Sequence, residues 1–115
     1  MADWIDAEQH ANNAQDHFES GRWAEAEASL RRALDIDDKQ PHWHHQLGII
    51  LELTGRDIEA VESFELATQH APDDVEPHLS AASALRRTGD LSRSIDHFIA
   101  VTKLESDSET AWAGL

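Results

Sequence analysis

Apolar and small residues recur along this chain at helical spacing, and the pattern itself repeats every 34 residues. Gly21, Gly55 and Gly89 stand 34 residues apart. Helix-like sequence flanks each of them on both sides, and after each glycine the apolar positions follow the i, i+4, i+7 spacing of a helix with one buried face. Glycine is typical of a helix C-terminus, where the backbone turns left-handed. The pattern therefore predicts helical hairpins joined at the glycines. The predicted units are 7–40, 41–74 and 75–108, followed by the start of a fourth helix pair at 109–115.

Equivalent positions of the three units hold residues of similar size. Small residues in both helices of each hairpin would let the two backbones approach closely. These positions are Ala14, Gly48 and Ala82 in the first helices, and Ala26, Ala60 and Ser94 in the second helices. The second helices continue with Leu30, Phe64 and Phe98, and then with Ala33, Ala67 and Val101. The fold class predicted from this register is all-α, with stacked hairpins in a single domain over residues 1–115.

The segments between units are rich in turn-forming residues. They read DIDDKQP, HAPDDVEP and LESDSE, and each predicts a break before the next unit. Pro41 and Pro77 are expected in the first turns of the helices that follow. Asp57 or Asp90 is expected to cap the second helix of its unit.

Unit 41–74 has small and apolar residues at fixed places: Leu47, Gly48, Leu51, Ala60, Phe64, Ala67 and Pro72. With these residues it resembles the tetratricopeptide repeat family. His44 stands where the family has an aromatic residue. The first unit departs from the pattern at Asn13, His17 and Asp38, and the third departs at Ala81 and Ser106. The resemblance covers nearly the whole chain.

The resemblance implies a right-handed superhelix whose first helices line a concave groove for a peptide or a partner helix. The positions that face the groove in the family are here Glu8, Ala11, Gln15, Phe18, His42, His45, Ile49, Glu52, Glu76, Leu79, Ser83 and Arg86. Their acidic rim and apolar middle favour a partner with apolar anchors and positive charge. The alternative is that these charges form only a solvated face.

Some family members bind a chaperone's C-terminal carboxylates with a clamp of Lys, Asn and Arg residues. The corresponding residues here are Ala11, Gln15, Gln46, Glu76 and Ser80, and none of them is a cation. We therefore do not expect this chain to bind a chaperone tail.

Composition excludes several other functions. Nine Lys and Arg residues against 23 Asp and Glu residues give a net charge of −14, which disfavours nucleic acid and anionic membrane surfaces as partners. The chain has no cysteine, so disulfides and thiolate chemistry are excluded. No run approaches the roughly eighteen apolar residues of a membrane span, and the first residues do not resemble a signal peptide. We expect a cytoplasmic, soluble protein.

Histidines suggest two kinds of site. His42 and His45 share a helix face, but no third ligand is evident and the HExxH motif is absent, so neither a metal site nor any cofactor is expected. His10, His44 and His78 form a column at the 34-residue spacing that Trp112 continues. Their regularity predicts packed, hydrogen-bonded imidazoles. Protonation near pH 6 would destabilise the protein if they are buried and neutral.

Neither a phosphate loop nor a nucleophile motif is present, so we do not expect an enzyme. The last predicted unit would leave apolar surface uncovered at its outer face. The residues implicated are Leu85, Ile95, Phe98, Trp112 and Leu115, and they suggest either that the chain is a fragment or that it forms a homodimer. Two functions remain open. The chain is either an autonomous adaptor that binds a peptide, or the N-terminal scaffold or self-association segment of a larger multidomain protein. That larger protein could be an enzyme.

Overall fold

Six helices, paired into three hairpins, make up the described part of the chain. The computed structural model describes the backbone of residues 2–113 and the side chains of residues 6–107. The helices are α1 (Ala2–Glu19), α2 (Trp23–Ile36), α3 (Pro41–Leu53), α4 (Asp57–His70), α5 (Val75–Thr88) and α6 (Leu91–Ala113). Helix α1 packs on α2, α3 on α4 and α5 on α6, while α2 contacts α3 and α4 contacts α5. The predicted hairpin order is confirmed.

The three repeated glycines end the first helix of each hairpin. Gly21, Gly55 and Gly89 have φ angles of 75°, 79° and 91°, in the left-handed region that glycine adopts without steric cost. Asp90 caps α6, since its Oδ1 accepts a hydrogen bond of 3.2 Å from the backbone nitrogen of Arg93. The capping prediction for Asp57 is wrong, because this residue is already inside α4 and Arg56 precedes the helix without a side-chain cap bond.

Small residues allow the hairpins to close tightly. Ala14, Ala26, Ala60 and Ala82 are completely buried. Gly48 lies against the Phe64 ring, and a Cβ added at Gly48 would come within 2.5 Å of it. In the third unit, the Ser94 hydroxyl donates to the Ala82 carbonyl at 2.7 Å, so a polar residue occupies the alanine position without an unsatisfied group.

Two histidines of the predicted column fasten their units to the preceding turns in the same way. His44 Nε2 donates to the carbonyl oxygen of Asp38 at 2.7 Å, and His78 Nε2 donates to that of Pro72 at 2.8 Å. Both imidazoles are buried. Each bond spans six residues, and the second lies 34 residues after the first. The prediction of packed, hydrogen-bonded imidazoles is confirmed at these two positions.

A chain of polar contacts joins the last two units. His78 Nε2 donates to the Pro72 carbonyl oxygen, and His78 Nδ1 lies within hydrogen-bond distance of His97 Nδ1, at 2.9 Å. The other nitrogen of His97 contacts the Glu65 carboxylate on α4. Arg93 also pairs with Glu65, at 3.1 Å. Helix α6 is therefore held to α4 by charge and to α5 by the histidine pair.

The C-terminal part of the chain differs from the sequence-based prediction. Helix α6 has 23 residues, where α2 and α4 each have 14. It runs through the LESDSE segment without the predicted break, so residues 109–113 continue α6 and do not begin a new helix. The segment contains neither glycine nor proline, which are the residues that most effectively end a helix.

The structure also corrects the predicted exposure of Leu85. Only 1% of Leu85 is exposed, because it lies on α5 between α4 and α6, at the position that Leu51 occupies one unit earlier. It belongs to the core and offers no surface for self-association.

In the part of the chain that the structure describes, no helix is long and apolar enough to cross a membrane.

Candidate functional site

The first helices of the three hairpins are linked along one side of the molecule. Gln46 on α3 donates to Gln15 on α1 at 2.6 Å, and His45 Nε2 on α3 lies 2.8 Å from the Ser80 hydroxyl on α5. These bonds place α1, α3 and α5 next to one another. We call the surface formed by these three helices the A-face, and it carries the predicted groove residues.

Ion pairs link the second helices of the three hairpins to one another. Arg56, directly before α4, pairs with Glu27 on α2, and Arg31 on α2 lies 3.6 Å from Glu59 on α4. Together with the pair between Arg93 and Glu65, these contacts link α2, α4 and α6. Arg31 and Arg56 are thus engaged in ion pairs within the chain.

Residues of the A-face differ in how accessible they are to a partner. His42, Gln15, Leu79 and Arg86 are exposed, whereas His45, Ile49, Glu52, Ser83 and Phe18 are half-buried. Phe18 packs its ring edge-on against Trp23, with ring centres 5.2 Å apart, and it also contacts the core. Glu52 forms an ion pair with Arg87 of α5. Phe18 and Glu52 are therefore partly occupied by contacts within the chain.

A surface hollow lies where α3 and α5 begin. Its volume is about 320 Å³, and its lining residues are Pro41, His42, His45, Asp74, Glu76 and Pro77. Two carboxylates and two imidazoles face it, and its lining includes neither lysine nor arginine. Asp74 and the two prolines were not among the predicted groove residues. They belong to the turn-rich segments that precede or begin α3 and α5. A second hollow of about 310 Å³ is formed by residues 55–59 alone, at the turn between α3 and α4.

His45 lies at the boundary between this hollow and the core. Its ring packs against Phe64 of α4, with ring centres 5.4 Å apart, and its Nε2 contacts Ser80. Burial lowers the pKa of His45 below its ordinary value, and His42 lowers it further, while the negative charge of Glu76 acts in the opposite direction. The neutral imidazole is therefore the form that this site favours.

Acidification is expected to destabilise the protein through His45. Because the pKa of His45 is lower in the folded than in the unfolded state, the unfolded state binds more protons between the two values. The stability that neutral His45 contributes is complete above its unfolded pKa of about 6.5 and is lost as the pH falls through the folded value. Thermal unfolding from about pH 7.5 to about pH 5.5 measures this loss.

The matched variant is His45→Gln, which keeps an amide within reach of Ser80 but does not titrate. We expect its stability to fall less than that of the wild type over the same pH range. Equal losses in the two proteins would show that His45 is not the source of the pH dependence.

The positions of the carboxylate clamp hold no cation in the folded protein. Gln15 and Gln46 bond to each other, and Ser80 bonds to His45. Glu76 contributes a negative charge. Among the described side chains, no group of three or more His, Asp or Glu residues is arranged to hold a metal ion.

Two of the predicted self-association residues lie on α6, outside the A-face. Ile95 and Phe98 are exposed on α6, as expected from the sequence, whereas Leu85 is in the core. The side chain of Trp112 and all of Leu115 lie outside the described part of the chain.

Solved structures with a similar fold come from tetratricopeptide repeat (TPR) proteins. A crystal structure of MamA matches 90% of this chain with a TM-score of 0.84 and 18% sequence identity. The second TPR of Spaghetti (RPAP3), bound to the HSP90 peptide SRMEEVD, matches 86% of this chain with a TM-score of 0.79 and 15% identity. The Yersinia enterocolitica type III secretion chaperone SycD, in complex with a peptide of the translocator YopD, matches 84% with a TM-score of 0.77 and 18% identity.

These matches cover different shares of the other proteins. They cover 61% of the MamA chain, 92% of the Spaghetti chain and 74% of the SycD chain. This chain thus spans about three fifths of the length of MamA. No protein-family model and no curated protein matches its sequence. The structural matches confirm the all-α fold of TPR-like helical repeats that the sequence predicted.

Proposed function

We propose that this chain is a non-catalytic protein-interaction module that binds a peptide or a helix of a partner protein on its A-face. The observation that carries this proposal is the hollow between α3 and α5, which opens beside two apolar residues. Ile49 lies one helical turn beyond His45, and Leu79 lies one turn beyond Glu76. A partner side chain in the hollow would therefore have an apolar neighbour on the same surface.

The charge of the hollow favours a basic partner. Asp74 and Glu76 are exposed at its rim, and the chain as a whole has a net charge of −14. Complementary charge accelerates association and selects among partners. We propose a peptide that places a Lys or Arg side chain at the hollow and an apolar side chain between Ile49 and Leu79.

Known peptide complexes of the same fold support a peptide-binding function for this chain. SycD is in complex with a YopD peptide, and two TPRs of Spaghetti are bound to an HSP90 peptide. The HSP90 peptide SRMEEVD is acidic, whereas the clamp positions here carry no cation and include Glu76. We therefore propose a different peptide chemistry for this chain. A cytoplasmic setting for this module remains a prediction from the sequence.

A titration with two synthetic peptides tests the proposal. One peptide has leucines at helical i, i+4 spacing with lysines between them, and the other has glutamates in place of the lysines. We expect the lysine peptide to bind more tightly and to shift the amide resonances of Ile49, Leu79 and Ser80. Glu76→Lys should weaken its binding about tenfold, because one favourable charge contact becomes repulsive.

Leu79→Asp and Ile58→Asp form a matched pair of variants for this titration. Both introduce an aspartate at an exposed apolar residue, but Ile58 lies at the start of α4 and is not part of the A-face. Binding should be lost in Leu79→Asp and retained in Ile58→Asp. Equal binding by both variants, or no preference for the lysine peptide, would contradict the proposal.

A second proposal follows from the apolar residues exposed on α6. The chain would then be the scaffold or self-association segment of a larger multidomain protein, with no activity of its own. The match with this chain covers only 61% of the MamA chain, so this fold also occurs within a longer chain.

A further inference from the structure

The hollow at the start of α3 and α5 is lined by two kinds of titratable side chain. Asp74 and Glu76 are carboxylates, and His42 and His45 are imidazoles. An ordinary carboxylate stays ionised between about pH 5.5 and about pH 7.5, whereas an ordinary imidazole gains its proton within this range. The carboxylates therefore give the hollow a constant negative charge, and the imidazoles add a charge that depends on pH.

Protonation of both imidazoles cancels the charge of the hollow. The two carboxylates give it a formal charge of −2 when the imidazoles are neutral, and this charge becomes 0 when both imidazoles are protonated. A cationic side chain in the hollow is attracted in the first state. In the second state it meets two charges of its own sign, which disfavour binding.

His45 couples the hollow to the interior of the protein. The charged groups that act on it are Glu76 from α5 and His42 from its own helix. Helix α4 faces it with the uncharged ring of Phe64, and α5 contributes the Ser80 hydroxyl. Because burial lowers the pKa of His45, this imidazole gains its proton at a lower pH than an unburied one does.

We propose that the hollow binds a cationic side chain of the partner when His42 and His45 are neutral and releases it when they are protonated. This inference rests on the proposed peptide-binding function, because it concerns the same hollow. It adds a regulation to that function, namely loss of the partner on acidification.

The location of the two imidazoles distinguishes this regulation from a general loss of negative charge. The other histidines of the chain do not line the hollow. At an ionic strength of about 0.15 M, charges separated by more than about 8 Å are largely screened when they are exposed to solvent. We therefore expect His42 and His45 to dominate the pH dependence of binding at this salt concentration.

Reciprocity between the two equilibria gives a second consequence. If protonation of the hollow weakens binding of a cationic peptide, binding of the peptide must disfavour protonation to the same extent. The lysine peptide should therefore release protons from the protein when it binds at about pH 6.5, where an ordinary imidazole is partly protonated.

Binding of the lysine peptide at about pH 7.5 and about pH 5.5 tests the proposal. The peptide is acetylated and amidated at its ends, so its own charge does not change over this range. We expect the affinity of the wild type to fall about tenfold on acidification. In the double variant His42→Gln, His45→Gln, whose side chains do not titrate, the affinity should change by less than about threefold.

His70→Gln is the matched control. His70 is exposed at the end of α4 and does not line the hollow, so this variant should lose as much affinity on acidification as the wild type. The quantity compared is the ratio of the two dissociation constants within each protein, which does not depend on how tightly each variant binds at about pH 7.5. Far-ultraviolet circular dichroism at both pH values confirms that the proteins are folded.

Calorimetry at about pH 6.5, in two buffers with different heats of ionisation, measures the proton release directly. The wild type should release protons on binding, and the double variant should release fewer. Equal affinity of the wild type at both pH values, or an equal fall in the double variant, would overturn this regulation but leave peptide binding intact. Absence of binding at both pH values would overturn the proposed function as well.

Discussion

Replacing Gly48 with alanine is expected to destabilise the protein by about 1–3 kcal/mol, the usual cost of overpacking a core. The new Cβ would come within 2.5–2.9 Å of three atoms of the Phe64 ring. Phe64 is fully buried, so its ring cannot move aside without displacing its neighbours. Alanine favours the helix by up to about 1 kcal/mol over glycine, which offsets only part of this cost. Denaturant unfolding measures the change.

The first unit suggests how to rescue this variant. It has Ala14 and Leu30 at the positions of Gly48 and Phe64, and both are completely buried. Gly48→Ala combined with Phe64→Leu recreates that pairing in the second unit. We expect the double variant to lose less stability than the sum of the two single losses, since the two residues touch. Strictly additive losses would show that the contact between them does not cause the destabilisation.

This pair of residues shows why the repeat could be predicted from the sequence. A small residue in one helix and a large one in the other are complementary within a single hairpin, and hairpin contacts are close in sequence. The 34-residue spacing then carries the same contact from unit to unit. The glycine turns and the histidine bonds to the preceding turns are also contacts between residues that are close in sequence, and they also recur at the 34-residue spacing.

Features outside the repeat were harder to predict. The interunit bond between His45 and Ser80 joins residues 35 positions apart, and it depends on how far each side chain reaches across the A-face. The ion pair of Arg87 with Glu52 similarly follows from side-chain conformation. The sequence predicted which positions face the groove, but it did not show which of their side chains contact one another or neighbouring residues.

The end of the solenoid was predicted only in part, for a physical reason. Segments DIDDKQP and HAPDDVEP contain proline, and the helices before them end. LESDSE contains only serines, acids and a leucine, so nothing stops α6 there. The exposure of Ile95 and Phe98 was predicted correctly because both residues lie on α6, the second helix of the third hairpin. Leu85 was placed on the same surface although it belongs to α5, which α4 and α6 enclose.

Leu85→Ala is accordingly expected to cost about 2–5 kcal/mol of stability, as is usual for truncating a buried leucine. Leu85 is fully buried in the core cluster, so the truncation removes buried methyl groups and leaves a cavity between α5 and its neighbours. A shift of the denaturant midpoint at unchanged slope would measure the loss.

Two leucine variants on the surface serve as controls for this prediction. Leu79→Ala and Leu91→Ala make the same chemical change at residues that are 37% and 58% exposed, and each should change stability by less than about 1 kcal/mol. Leu79→Ala should instead weaken binding of the lysine peptide. If Leu85→Ala were as stable as the two surface variants, α5 would not be enclosed by α4 and α6, and the sequence-based placement of Leu85 at the open end would be the correct one.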